Sequence, residues 1–242
     1  MGTSCENEGI DRRNLLRLGA AGVVALGIGG VSWQARAAEG TPTPSAHTPD
    51  ESLAWLKEGN ADFVSHPELC SIDLETQRSE TAGGQAPWAT IVSCADSRVP
   101  PELIFGGHGL GELFVARNAG NLVDTGTMGT VEYGSVVLGS PLVVVLAHTS
   151  CGAVKAACDV VTKNATYPGS IGPMIDPILP SALAMRDTAG DFVNNTAMES
   201  ARRTAARLLT ASALLADLAA AGTLKVVAAI YDLQSGVVTY LD

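Results

Sequence analysis

The chain has 242 residues, of which 46% are hydrophobic and 17% charged, and its formal charge is −10. This balance excludes intrinsic disorder, and the negative charge excludes a nucleic-acid backbone as partner. Five cysteines are too few for a disulfide scaffold of this length but enough for a metal or catalytic site.

In chain order, the adjacent Arg12 and Arg13 precede a Gly- and Ala-rich apolar run from Leu18 to Trp33, and Ala35-Arg36-Ala37 then offers a small-residue cleavage pattern. The run is shorter than the roughly 20 residues of a membrane-spanning helix. Residues 1–37 therefore resemble a twin-arginine export signal, which predicts an exported chain, periplasmic or extracellular, that meets a membrane only during export. Removal of that segment takes away four arginines and three acids and moves the charge from −10 to −11. Residues 38–47 read as a flexible linker, and residues 48–242 as the folded domain.

Thr48-Pro49-Asp50-Glu51 is a helix start with a capping box, and Leu53, Leu56, Phe63 and Val64 give that helix one apolar side. Trp88–Ser93, Glu112–Ala116 and Pro141–Ala147 are short apolar runs that predict buried strands. Thr127–Leu138 has near-helical spacing between the second and third. Ser200–Ala221 predicts one long helix stopped by Gly222. Lys225–Tyr231 and Val237–Leu241 predict two strands joined by a turn at Asp232–Gly236. Apolar strands alternating with helices imply an α/β fold. Its mostly parallel sheet is flanked by helices, and the last hairpin adds an antiparallel edge strand.

Two motifs carry the chemistry. Cys94-Ala95-Asp96-Ser97-Arg98 follows the first strand, and His148-Thr149-Ser150-Cys151 follows the third. Together they put two thiols and an imidazole at the carboxyl ends of parallel strands, where open α/β sheets hold their ligands. Two Cys and one His form a catalytic zinc set with a fourth position left for water. Asp96 is placed to accept a hydrogen bond from that water, and Arg98 to hold Asp96 back from the metal. Cys158 falls in the following helix as a core cysteine. Cys70 precedes the first strand without a partner in either motif. A metal-free Cys-x5-Arg nucleophile would need arginine where Pro100 stands.

These segments resemble the two signatures of the β-class carbonic anhydrases. The likeness runs from about Asp50 to Leu241 through GNADF (59–63), GELFVARNAGN (111–121), VEYG (131–134) and the terminal YDLQSG. It implies one Zn2+ per chain on Cys94, His148 and Cys151, with Asp96 and Arg98 as the catalytic dyad. Gln85, Phe114 and Tyr133 take the family's substrate-binding positions. It also implies a homodimer or higher homo-oligomer with active sites at the subunit boundary. The reaction implied is reversible hydration of CO2 to bicarbonate and a proton by a zinc-bound hydroxide. The alternatives are hydrolysis of CS2 or carbonyl sulfide at the same site, or a non-catalytic zinc-binding module. In one branch of the family a tryptophan and an arginine form a second bicarbonate pocket; here those positions are Ile91 and Arg117. His108, an extra residue in the GGHGLGE loop, is expected to be a solvent-exposed imidazole.

Overall fold

The computed structural model describes residues 46–66 and 74–241. The predicted export signal and Cys70 lie outside these residues, as does most of the linker.

Helix α1 (Pro49–Ser65) begins at the expected capping box: Glu51 N–H donates to Thr48 Oγ1 at 3.3 Å and Thr48 N–H to Glu51 Oε2 at 2.8 Å. Leu56 is fully buried, whereas Val64 is exposed. The helix lies so close to the segment after β1 that a Cβ on Gly59 would fall 1.8 Å from the Phe105 carbonyl oxygen. Only glycine fits there. Asn60 then ties α1 to two distant loops, donating to the Ile104 and Gly236 carbonyls and accepting from Val238 N–H.

Helix α2 (Leu74–Thr81) precedes β1 (Ala89–Cys94), α3 (Pro101–Ile104) and β2 (Leu113–Asn118). Helix α4 (Thr125–Glu132) passes directly into a π-helical turn, Tyr133–Val137, and β3 (Leu142–His148) follows. Gly134 in that turn lies against β1 and β2, where a Cβ would approach Thr90 Oγ1 to 2.7 Å and Phe114 to 2.9 Å. Helices α5 (Gly152–Lys163), α6 (Ile171–Ile175) and α7 (Leu179–Met185) lead to α8 (Phe192–Ala211) and α9 (Ala213–Ala220). Strands β4 (Lys225–Tyr231) and β5 (Val238–Leu241) complete the fold.

The expected single helix over Ser200–Ala221 is in fact broken at Ser212. That residue is extended (φ −120, ψ 111) and caps α9, its hydroxyl accepting from Leu215 N–H while donating to Glu132 Oε1 at 2.6 Å. Gly222 ends α9 at φ +74, as its position predicts.

The sheet order is β2-β1-β3-β4-β5, with every pair parallel except β4–β5. Alternate residues of the central strands feed two cores. Val92, Val143, Val145 and Ala147 pack in a cluster with residues of α5, α7 and α8, while Ile91, Leu142, Val144 and Leu146 pack with Leu56 of α1 and Ile104 of α3. The chain leaves β1 for β2 on one side and returns to β3 on the other. The carboxyl ends of β1 and β3 therefore flank the crevice where such sheets bind ligands.

Candidate active site

The first three strands run further than their apolar patterns indicate, and that extension builds the site. Cys94 is the last residue of β1 and His148 the last of β3. Cys151 caps the start of α5. All three are buried, and their ligating atoms lie within 4.8 Å of one another.

Cys94 Sγ and Cys151 Sγ are 3.9 Å apart. That is far from the roughly 2.05 Å of a disulfide. It matches the separation of about 3.8 Å expected for two thiolates each about 2.3 Å from one tetrahedral zinc. His148 Nδ1 lies 2.9 Å from the Thr149 carbonyl oxygen, which only accepts, so Nδ1 carries the proton. The Nε2 lone pair is thereby left for a metal, and Nε2 is buried without a hydrogen-bond partner. An orphaned buried nitrogen beside two buried sulfurs fits a Cys2His metal set.

The two thiols influence each other's ionisation. Cys94 is pulled below the usual thiol range by its contact with Cys151, helped by Gly120 N–H at 3.4 Å. Cys151 is pushed up by that same contact and by burial. A divalent cation would let both sulfurs ionise.

Asp96 stands beside this set, its Oδ2 3.8 Å from His148 Nε2. Arg98 grips it in a fork, Nε to Oδ1 at 2.9 Å and Nη2 to Oδ2 at 2.7 Å, with Arg98 N–H adding a 3.0 Å bond to Oδ1. These bonds hold the Asp96 carboxyl well below the usual carboxylate range.

Gln85, Phe114 and Tyr133 are placed elsewhere on the chain. Phe114 faces Thr90 in the strand register, four residues before Cys94, or roughly 13 Å along β1. Its ring lies 6.1 Å from that of Tyr133, which is 48% exposed. Gln85 is exposed in the loop after α2, lining a depression with Thr81 and Gly111. A single chain therefore assembles Cys94, His148, Cys151, Asp96 and Arg98, and does not bring the other three to them.

Arg117 binds the backbone of the first motif. Its Nε donates to the Cys94 carbonyl at 3.1 Å and its Nη2 to the Asp96 carbonyl at 2.6 Å, so both nitrogens clamp the backbone of the first motif. Ile91 is fully buried in the core. His108 is not the expected exposed imidazole: its side chain is 18% exposed, packed edge-on against Trp88 at 4.8 Å with Nδ1 3.0 Å from Glu112 Oε2. Apolar contact with an indole outweighs hydration there. Cys158 is a core residue, as expected, its thiol donating to Thr196 Oγ1 at 3.5 Å.

The fold and donor set define a class: an α/β protein with a buried Cys2His donor set at its topological switch point. A sequence model of the carbonic anhydrase family matches residues 89–238. Carbonic anhydrase 2 of Mycobacterium tuberculosis is 39% identical over 189 residues, spanning 76% of this chain and 89% of that protein. The carbonic anhydrase of Mycolicibacterium smegmatis is 36% identical over 185 residues, with the same coverage. Among solved structures, the β-carbonic anhydrase CafA of Aspergillus fumigatus matches at 27% identity and a TM-score of 0.62, over 80% of this chain and 90% of that one. The chain belongs to the carbonic anhydrase family, in its β class.

Proposed function

We propose that this protein is a zinc-dependent carbonic anhydrase that reversibly hydrates CO2 to bicarbonate and a proton. The observation that carries this reading is the buried Cys94–His148–Cys151 triad with the Arg98-held Asp96 beside it. The relatives named carbonic anhydrase favour CO2 over CS2 or carbonyl sulfide as substrate, and the dyad favours turnover over a non-catalytic zinc module. Bound zinc supplies Lewis acidity that makes water a nucleophile near neutral pH. Cys94, Cys151 and His148 Nε2 hold the ion. Asp96 accepts a hydrogen bond from the attacking water and orients its lone pair toward CO2. Arg98 keeps Asp96 in that role and away from the ion.

Substrate binding by Gln85, Phe114 and Tyr133 requires a second copy of the chain, since one copy leaves them apart. The exposed Tyr133, Val136 and Val137 beside edge strand β2 support a homodimer or higher homo-oligomer closed on that face. The purified protein should contain one zinc per chain and accelerate CO2 hydration in stopped flow. A metal-free protein, or a zinc protein without hydration activity, would reject the reading.

Residues 1–37 act, in this reading, as a twin-arginine signal that exports the folded enzyme to the periplasm or beyond. Export of a folded, already metallated enzyme would protect Cys94 and Cys151 from disulfide exchange on the oxidising side. Replacing Arg12 and Arg13 together with lysine should retain active enzyme in the cytoplasm. Unchanged appearance outside the membrane would exclude that route.

A further inference from the structure

His148 and Cys151 are separated by two residues, within which the backbone must turn from the end of β3 into the start of α5. The turn is made by Ser150 at φ +56, a left-handed conformation that L-residues with a side chain seldom adopt. The first half of the loop is pinned from the sheet. Thr149 N–H donates to the Tyr231 carbonyl at 2.9 Å, and Thr149 Oγ1 accepts from Leu233 N–H at 3.0 Å. The second half is pinned from elsewhere. Ser150 N–H donates to Asn194 Oδ1 at 3.0 Å, across 44 residues of sequence.

Asn194 is itself well fixed. It is the third residue of the 20-residue helix α8, and its own N–H donates to the capping Asp191 Oδ1 at 2.7 Å. Helix α8 packs on α5, α7, β3 and β4, so it presents the acceptor from a rigid support.

We propose that Asn194 is a positioning residue for the metal centre. Its amide oxygen holds Ser150 in the left-handed turn and so keeps Cys151 at ligating distance from His148 and Cys94. Without that acceptor, Ser150 relaxes toward ordinary backbone angles and carries Cys151 with it. The inference rests on the zinc reading above.

The test measures zinc release from the full-length protein to an excess of chromogenic chelator, together with the visible spectrum of the cobalt(II)-substituted protein. Asn194→Ala should release zinc about 10-fold faster, at the lower end of losses caused by residues that orient metal ligands. Its thiolate-to-cobalt absorption should shift or weaken. Asn194→Asp, which keeps an acceptor oxygen, should restore both. Asn195→Ala removes a different bond at the same helix start, from Asn195 Nδ2 to the Ala189 carbonyl, and should behave as wild type. Asn194→Gln displaces the amide by a methylene and should behave like Asn194→Ala, so it carries the test if the alanine variant does not fold. Wild-type release and spectra in Asn194→Ala and Asn194→Gln would overturn the proposal. So would equally fast release from Asn195→Ala. A wild-type protein that binds no zinc would instead defeat the zinc reading itself.

Discussion

Cys94→Ser is expected to abolish metal binding and CO2 hydration together. The serine hydroxyl is a poor substitute for a thiolate toward zinc and does not ionise at neutral pH. The structure adds a second reason. Cys94 Sγ accepts from Gly120 N–H and lies 3.9 Å from Cys151 Sγ, so its loss removes one of the two sulfurs about which the site is built. Its replacement leaves Cys151, whose ionisation is opposed by burial, as the remaining sulfur. Zinc affinity should fall by more than about 100-fold, beyond the range caused by altering residues that merely orient ligands. Metal content after dialysis and a melting curve with and without zinc would check this. Full zinc occupancy in the variant would mean that the ligand assignment is wrong.

Asp96→Asn should separate metal binding from turnover. The amide has the same shape and its oxygen still accepts from Arg98, although its NH2 group cannot, and Asp96 is not a zinc ligand in this reading, so zinc should stay at one per chain. Turnover should nevertheless drop by roughly 10²–10⁴-fold, the range for losing a positioned proton-accepting group. Arg98→Ala should also impair the enzyme, for a different reason. The variant loses the two guanidinium bonds, Nε to Oδ1 and Nη2 to Oδ2, and keeps only the backbone N–H bond to Oδ1, so the carboxylate can swing toward the metal from its position 3.8 Å from His148 Nε2. Stopped-flow rates normalised to zinc content distinguish the two effects. Near-normal rates in both variants would reduce the pair to a surface ion pair, of the kind that contributes little.

Arg117 qualifies how the dyad is held. Its Nε and Nη2 donate to the carbonyls of Cys94 and Asp96. The register explains this: Arg117 sits opposite Ser93, one residue before the strand-end cysteine, so its guanidinium reaches the turn that follows.

The sequence by itself determined the alternation of strands and helices, because the apolar runs of β1, β3 and β4 need both faces covered. It also determined the candidate ligands and dyad. Cys94, Asp96 and Arg98 are near neighbours in the chain, as are His148 and Cys151, and short spacing at a strand end leaves little freedom. The capping box at Thr48 and the stop at Gly222 were legible for the same reason: each depends on residues within one turn. Tertiary structure decided everything that depends on distant partners. Ser212 lies in a stretch of good helix formers, and the chain breaks there because its hydroxyl serves both the α9 cap and Glu132, 80 residues away. His108 lies in a glycine-rich loop, and it is half-buried because Trp88 offers it an aromatic contact and Glu112 a carboxylate. Asn194 shows no motif at all, and only the packing of α8 brings its amide to Ser150. The resemblance offers Gln85, Phe114 and Tyr133 as substrate positions, yet the strand register sets Phe114 roughly 13 Å from the cysteine end of β1. Local spacing fixes which groups a segment offers, whereas the long-range pairing of strands and helices fixes which of them meet.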